Sequence, residues 1–416
     1  MGVWLYLGYG LYVGLTLILT AIAVTTLWWM LHAWRYPEAI DEAGFETPGP
    51  RAAAFAFSLL VPARYERDVI AKTLPRLAST RHPRFEIVVI VGADDTDTLG
   101  AVEEVQRRYP HRIRVVRDVD SIKTKPRALN AGLPYCHGDI VGIFDAEDLV
   151  HEDLLMYVDC AFQTSGAEVV QGGTQLMNFR SNWYSLRNVL EYYFWFRSRL
   201  HFHAAHHFIP LGGNTVFVRR SWLERVGGWD PDCLAEDCDL GARLSSIGAR
   251  TVVAYEPRLV TREETPGSLQ ALVQQRTRWN QGYLQVLRKA DWRGLPRSRR
   301  VLAVYTLGSP FIQAVAFTIV PVSIITIAVL ALPVGFALLS FVPLIPILTT
   351  LGVEIVGLGD FCREYGYRRS PADVIRLLVS AIPYQLVLGW AAARAVIREA
   401  RGMSNWEKTD HAGAHL

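Results

Sequence analysis

Ile140-Val141-Gly142-Ile143-Phe144-Asp145-Ala146-Glu147-Asp148 is the stretch on which the reading of this chain turns. An apolar run of strand length stops abruptly in three carboxylates. Continuous apolar character over so few residues suits a strand buried on both faces of a sheet. In open α/β sheets, ligands sit beyond the carboxyl ends of the strands. Asp145 and Glu147 are two residues apart, and at a strand end both side chains can bend toward one ion. Hard divalent cations take oxygen ligands and share them with phosphates. The competing reading is a helix cap, since acids favour a first helical turn. Asp148 suits that role for a helix over about Glu152–Asp159, whereas Asp145 follows the strand directly.

The sequence before this stretch supports the strand. Phe57–Val61, ended by Pro62, reads as a first buried strand, Phe85–Val91 as a second and Ile113–Val116 as a third. Helical spacing lies between them, over Asp68–Ser79 (with Pro75 awkward inside it), Leu99–Tyr109 and from Ala128. Strands alternating with helices imply a parallel sheet with right-handed crossovers. The fold class expected is therefore α/β, in one soluble domain over residues 55–292, preceded by a linker at 36–54.

Outside that domain the chain turns apolar. Residues 1–31 carry no charged side chain, and between Leu302 and Gly359 the only charge is Glu354. A span needs about 20 apolar residues. The first run fits one anchor (residues 1–35). The second fits two, divided near Leu332–Gly335. Leu377–Ala393 is a shorter third run, and 301–398 is read as transmembrane or interfacial helices, with a tail at 399–416. The N-terminal run lacks the basic start and small-residue cleavage site of a signal peptide. Arg35 after it places the following domain in the cytosol by the positive-inside rule. A net charge of +3 in 416 residues favours no particular partner and gives no reason to expect nucleic acid. Five cysteines without a paired motif read as reduced thiols.

Several further groups carry chemistry. Asp94-Asp95 after the second strand suits a base or ribose, or an ordinary Asp/Thr-rich turn. Lys123-Thr124-Lys125-Pro126-Arg127 precedes a helix, where cations and a helix N-terminus together suit an anion. Leu211-Gly212-Gly213-Asn214 lets backbone approach a ligand closely, or forms a turn. Glu236-Asp237 opens a helix, as a cap or as a general base. Gln275, Arg278 and Trp279 fall on one helical face and combine an amide, a phosphate clamp and a flat stacking surface; an interfacial anchor is the alternative. The aromatics of Ser181–Arg197 read as an interfacial helix or as part of an acceptor channel, and the region around 268–300 as interfacial. His201, His203, His206 and His207 fit an interface, where their charging suits lipid headgroups, better than a metal site.

The order Asp94-Asp95, Asp145-x-Glu147, Glu236-Asp237 and Gln275-x-x-Arg278-Trp279 resembles the family 2 glycosyltransferases, closest to membrane-embedded synthases of the cellulose, chitin and hyaluronan type. The resemblance covers about Ser58–Gln285. Lys125–Asn130 resembles the family's nucleotide-side loop, Leu211–Asn214 its acceptor-side loop, and Trp406-Glu407-Lys408-Thr409 a tail motif of some bacterial members. It implies a GT-A nucleotide-sugar-binding domain between transmembrane helices in the cell membrane. It implies a donor site at Pro62, Asp94, Asp95, Lys125, Asp145, Gln275 and Arg278, and Mg²⁺ or Mn²⁺ on Asp145 and Glu147. Asp237 would be the base of a single inverting displacement, with Glu236 beside it, and Gly213, Asn214 and Trp279 would face the acceptor. Two positions depart from the pattern: Glu147 where the family usually has aspartate, and Gly213 where several synthases carry a side chain.

The resemblance implies transfer from a nucleotide diphosphate sugar, most simply a UDP-sugar, to a growing polysaccharide; the alternative is one addition to a lipid acceptor, a polyprenyl phosphate or glycolipid. A secretion channel needs a closed ring of helices, which a homodimer or a secretion partner subunit would complete. Three spans after the catalytic domain would put Arg394, Arg398, Arg401 and Lys408 outside, against the positive-inside rule. Either 377–393 lies in the interface or the division of 302–359 differs; a cytosolic tail is the expectation.

Overall fold

The computed structural model describes residues 2–35, 53–329, 334–339, 341–407 and 413. The linker expected at 36–54 lies almost wholly outside them, as do Lys408 and Thr409.

Strands β1 (Phe57–Ala63), β2 (Phe85–Gly92), β3 (Ile113–Asp118) and β4 (Ile140–Ile143) run parallel in the order β3-β2-β1-β4. Their interiors are apolar and buried, as strands covered by helices on both faces must be. Alternate residues feed two cores: Leu59, Val89 and Phe144 one, Leu60, Val88 and Ile143 the other. The strand order reverses at β1, with β2 on one side and β4 on the other. The crevice at such a switch point opens beyond the carboxyl ends of those strands.

Beyond β4 the sheet departs from the all-parallel expectation. β7 (Val216–Arg219) is antiparallel to β4 and to β5 (Val169–Gly172), and β8 (Thr251–Ala254) closes the edge parallel to β5. Val216 stands opposite Ile143, so the loop Leu211–Thr215 is delivered to the carboxyl end of β4, beside Asp145. Gly142 allows the pairing: a Cβ there would lie 2.8 Å from the Phe217 ring, which packs on Phe144. A second, parallel ladder joins β6 (Thr174–Leu176) to β9 (Thr261–Glu263) beneath that loop.

The helix expected from Ala128 begins earlier and spans Lys125–Gly132, so Lys125 sits inside its first turn rather than before it. Pro126 explains the early start, because proline is tolerated in a first turn where its missing N–H has no partner to lose. Pro75 is accommodated inside the helix Arg67–Ala78.

Among the described residues three helices are long and apolar enough to cross a membrane, Tyr12–Met30, Arg297–Thr318 and Leu344–Glu364; a fourth crossing arises if Pro371–Val379 and Ala381–Ala400, bent by 45°, count as one. Glu354, within the third, is met by Arg187 from the helix Ser185–Phe194, one guanidinium nitrogen lying 3.1 Å from each carboxylate oxygen. Ala381–Ala400 lies along the helix Leu269–Lys289, with Thr277 beside Ala391, Gln281 beside Arg398 and Arg288 on Glu399.

Candidate active site

A cavity of about 870 Å³ occupies the crevice. Pro62 and Ala63 of β1, Asp145 and Glu147 after β4, Lys125, Gly213 and Asn214, Glu236 and Asp237, and Gln275, Arg278 and Trp279 all line it. Apart from Asp94 and Asp95, every residue expected in the site is on its wall.

Asp145 is paired with Lys125, whose ammonium also donates to the Gly213 carbonyl at 2.8 Å. Burial alone would lower the Lys125 pKa, but Asp145, Glu236 and Asp237 outweigh it and hold the ammonium above its ordinary value. Glu236 and Asp237 open the helix Glu236–Ser246, and the Cys238 amide donates to Asp237 at 2.7 Å. Burial, then the charge of Asp237, pushes Glu236 up to about 7. Burial also raises Asp237, against the pull of Lys125 and Arg278. This buried pair therefore takes up a proton more readily than exposed carboxylates do. Gly213 faces it: a Cβ there would lie 3.2 Å from Asp237 Oδ2 and 3.6 Å from Lys125 Nζ.

The helix Leu269–Lys289 presents Gln275, Arg278 and Trp279 to the cavity from one face. Gln275 Oε1 and Arg278 Nε are buried without a hydrogen-bond partner. The Arg278 guanidinium lies over Trp406, 4.5 Å from the ring centroid. Glu407 is held by Arg394 and Arg398, and Arg398 also donates to Gln281, so the tail is fastened across the mouth of the site.

Other expectations take a different form. Asp148 does not cap a helix. It is buried, accepting from the Asp145 amide at 2.8 Å and from Asn214 Nδ2 at 2.9 Å, and burial with the nearby Glu263 raises its pKa well above the carboxylate range. Asn214 spends its amide on Asp148 and Glu263 and its oxygen on Thr174, so its side chain braces the loop instead of facing a ligand. Asp94 is exposed and paired with Arg64. Asp95 caps the helix Thr96–Arg108 through the Thr98 amide and also accepts from the Tyr65 amide. Neither lines the cavity; Arg64, Tyr65 and Gly92 stand there. His201 and His203 are buried and, by that burial, kept neutral, whereas His206 and His207 are exposed.

Sequence reasoning missed the polar residues that the apolar helices bring to the same cavity: Ser309 and Gln313, Thr350 and Glu354, and Gln385. The signal was present, since the first two pairs are polar residues four apart, on one helical face of an apolar run. It also missed the ion pair of Arg276 with Glu191, which Tyr384 joins at 2.7 Å.

Asp145 and Glu147 offer only carboxylate oxygens, which suits a hard cation. Among the described residues no three His, Cys, Asp or Glu side chains converge on one point, so an ion here would complete its shell with water, backbone or substrate oxygens.

A mixed sheet with acids at its switch point, a cavity beside them and helices long and apolar enough to cross a membrane define an α/β fold with a ligand-sized crevice. Residues 53–282 match the sequence pattern of the family described as Glycosyltransferase like family 2, and the chain belongs to that family. It is 30% identical over 232 residues to the beta-monoglucosyldiacylglycerol synthase of Trichormus variabilis, covering 55% of this chain and 49% of that one. It is 24% identical over 254 residues to a poly-beta-1,6-N-acetyl-D-glucosamine synthase of Staphylococcus epidermidis, covering 60% and 59%. The chain thus spans about half the length of the curated relatives it matches. Among solved structures, the mannosyltransferase PcManGT of Pyrobaculum calidifontis, in complex with GDP-Man and Mn²⁺, superposes with a TM-score of 0.54 at 19% identity, covering 94% of this chain and 99% of that one. The fold is of the GT-A type.

Proposed function

We propose that the chain transfers a glycosyl group, with inversion, from a nucleotide diphosphate sugar to the headgroup of a membrane lipid. The observation that carries the acceptor is the depth of the cavity. Its lining includes Ser309 and Gln313, beyond Arg300, and Thr350 and Glu354, before Asp360. At 1.5 Å per residue these lie roughly 10–20 Å past the flanking charges. A hydrocarbon core is about 30 Å thick. Such a cavity opens at the interface, where a headgroup lies, and ends near mid-bilayer, short of a through-channel. The diacylglycerol-named relative supports this reading; the poly-N-acetylglucosamine one supports a second, polysaccharide extension, which the polar lining also suits.

In this reading Arg278 and Gln275 hold the diphosphate, and Lys125 keeps the acidic floor near neutrality. Asp237 accepts the acceptor hydroxyl proton from the face opposite the leaving group, with Gly213 leaving room for that hydroxyl. Asp145 and Glu147 would hold Mg²⁺ or Mn²⁺, which when bound supplies Lewis-acid stabilisation of the departing diphosphate. Asp95 acts by fixing the loop that presents Tyr65.

The catalytic domain faces the cytosol, and the tail returns to the same side. Trp406 on Arg278 supports this, as does the packing of Ala381–Ala400 along Leu269–Lys289. With the bent helix pair in the interface, two spans follow the domain, and Arg394, Arg398 and Arg401 stay inside as the positive-inside rule requires.

The test is incubation of the detergent-purified chain with Mn²⁺, radiolabelled UDP- and GDP-sugars and native lipids, beside Asp237→Asn. Label in the chloroform phase on a small product is expected; a large water-soluble product would move the reading to polysaccharide. Asp237→Asn should lose about 10²–10⁴-fold in rate, the usual worth of a general base. Equal rates for variant and wild type would overturn the base assignment.

A further inference from the structure

The arginines around the cavity are nearly all neutralised. Arg276 is paired with Glu191, Arg187 with Glu354, Arg197 with Glu364 and Arg64 with Asp94. Two are not. Arg278 belongs to the diphosphate site already described. Arg199, at the membrane end, is the other. It lines the cavity, its Nε is buried without a partner, and among the described residues it makes no hydrogen bond or ion pair. Its guanidinium lies 4.0 Å from the Trp29 ring centroid and 4.7 Å from that of Trp195. Glu191, the acid whose charge reaches it, is already engaged by Arg276 and Tyr384.

A guanidinium out of water without a counter-charge is costly. Stacking on two indoles returns part of that cost and fixes the plane of the fork, leaving its edge for an anion. Burial lowers the Arg199 pKa to about 10, which leaves it charged at neutral pH. Trp29 ends the apolar helix Gly2–Met30, the depth at which indoles mark the interface. Met30, Leu190, Phe194 and Leu388 supply an apolar wall nearby. A guanidinium at the headgroup level, with greasy surface beside it, fits an amphiphile that carries a phosphate.

We propose that Arg199, clasped between Trp29 and Trp195, binds the phosphate of a lipid at the membrane end of the cavity. The inference rests on the lipid-acceptor reading for its place in turnover, but the site itself does not depend on transfer. Two sources share this chemistry: the acceptor itself, as a lipid phosphate monoester, or a resident phospholipid, as a diester.

The full chain in detergent is titrated calorimetrically with farnesyl phosphate, farnesol and dihexanoyl-phosphatidylglycerol, as wild type, Arg199→Ala and Arg199→Lys. UDP binding is measured alongside. Wild type should prefer farnesyl phosphate over farnesol by roughly tenfold to a hundredfold, the worth of a charge-assisted contact. Arg199→Ala should erase that preference and Arg199→Lys keep part of it, with UDP affinity unchanged in both. Should the alanine variant not fold, the lysine variant carries the comparison. Equal binding of the phosphate and the alcohol by wild type, or an undiminished preference in a folded Arg199→Ala, overturns the proposal. Radiolabelled sugar recovered on farnesyl phosphate identifies the acceptor. Arg199-dependent phosphatidylglycerol binding, with sugar recovered on a phosphate-free lipid, identifies a resident lipid. A phosphate preference without any sugar transfer leaves the site standing and sinks the transferase reading alone.

Discussion

Adding a methyl group at Gly213 tests whether the acceptor hydroxyl approaches between that glycine and Asp237. A Cβ there would stand 3.2 Å from Asp237 Oδ2, against 3.4 Å for an ordinary contact. The carboxylate must therefore yield by about 0.2 Å, or the loop must. The loop has little slack, because Lys125 holds the Gly213 carbonyl and Asn214 is tied to Asp148 and Thr174. The movement falls on Asp237, whose other oxygen is held by the Cys238 amide. Misplacing a reacting group by 1 Å costs about a hundredfold, so 0.2 Å scales to roughly two- to fourfold in kcat/KM, about 0.4–0.8 kcal/mol. Gly213→Val adds γ-carbons where the hydroxyl must pass, and the loss should exceed about tenfold. The assay is the initial rate of labelled sugar into the lipid phase, with UDP affinity as the control, which both variants should keep. If Gly213→Val turns over as fast as wild type while Asp237→Asn is inactive, the acceptor reaches the base by another route and the steric argument fails.

The pH dependence follows from the same pair. Asp237 is raised by burial, and the base works ionised, so kcat/KM should fall on acidification through a limb above the ordinary carboxylate range, with the neighbouring Glu236 charge holding it up. Glu236→Gln should move that limb to lower pH, and an unmoved limb would show that another group controls it. For stability, Arg187→Leu strands Glu354 and also abandons the Leu377 carbonyl, so it should cost about 3–5 kcal/mol in detergent unfolding. Removing both charges, with Glu354→Leu added, should recover most of that loss; equal destabilisation by single and double variants would show that the pair is not the cause.

Most of the site was legible because its residues sit at positions that local structure dictates. A strand buried on both faces has to end where the carboxylates begin, so Asp145 and Glu147 could be placed from Ile140–Phe144 alone. Gln275, Arg278 and Trp279 follow from helical spacing in the same way. Readings failed where a side chain had two partners of equal merit nearby. Asp95 could meet a nucleotide base or the Thr98 amide, and the sequence contains both options; the structure shows the amide. Asp148 was read as the cap of the following helix, but the antiparallel return of β7 brings Asn214 to it instead. No local rule foresees that return, because it depends on where the chain re-enters the sheet seventy residues later.

The same distinction explains why Arg199 was invisible among the aromatics of Ser181–Arg197. Taken alone, an arginine beside tryptophan at an interface is a common anchor. What sets Arg199 apart is that the one acid whose charge reaches it, Glu191, already has its cation, as do two other acids of the lining. Glu191 goes to Arg276, Glu354 to Arg187 and Asp145 to Lys125. Two guanidinium groups without an acid, Arg278 and Arg199, line one cavity, the first beside the proposed donor diphosphate and the second against Trp29 of the first apolar helix. A cavity that served the donor alone would gain nothing from the second. An unneutralised charge stacked on Trp29 of the first apolar helix is the feature that the proposed lipid phosphate would answer.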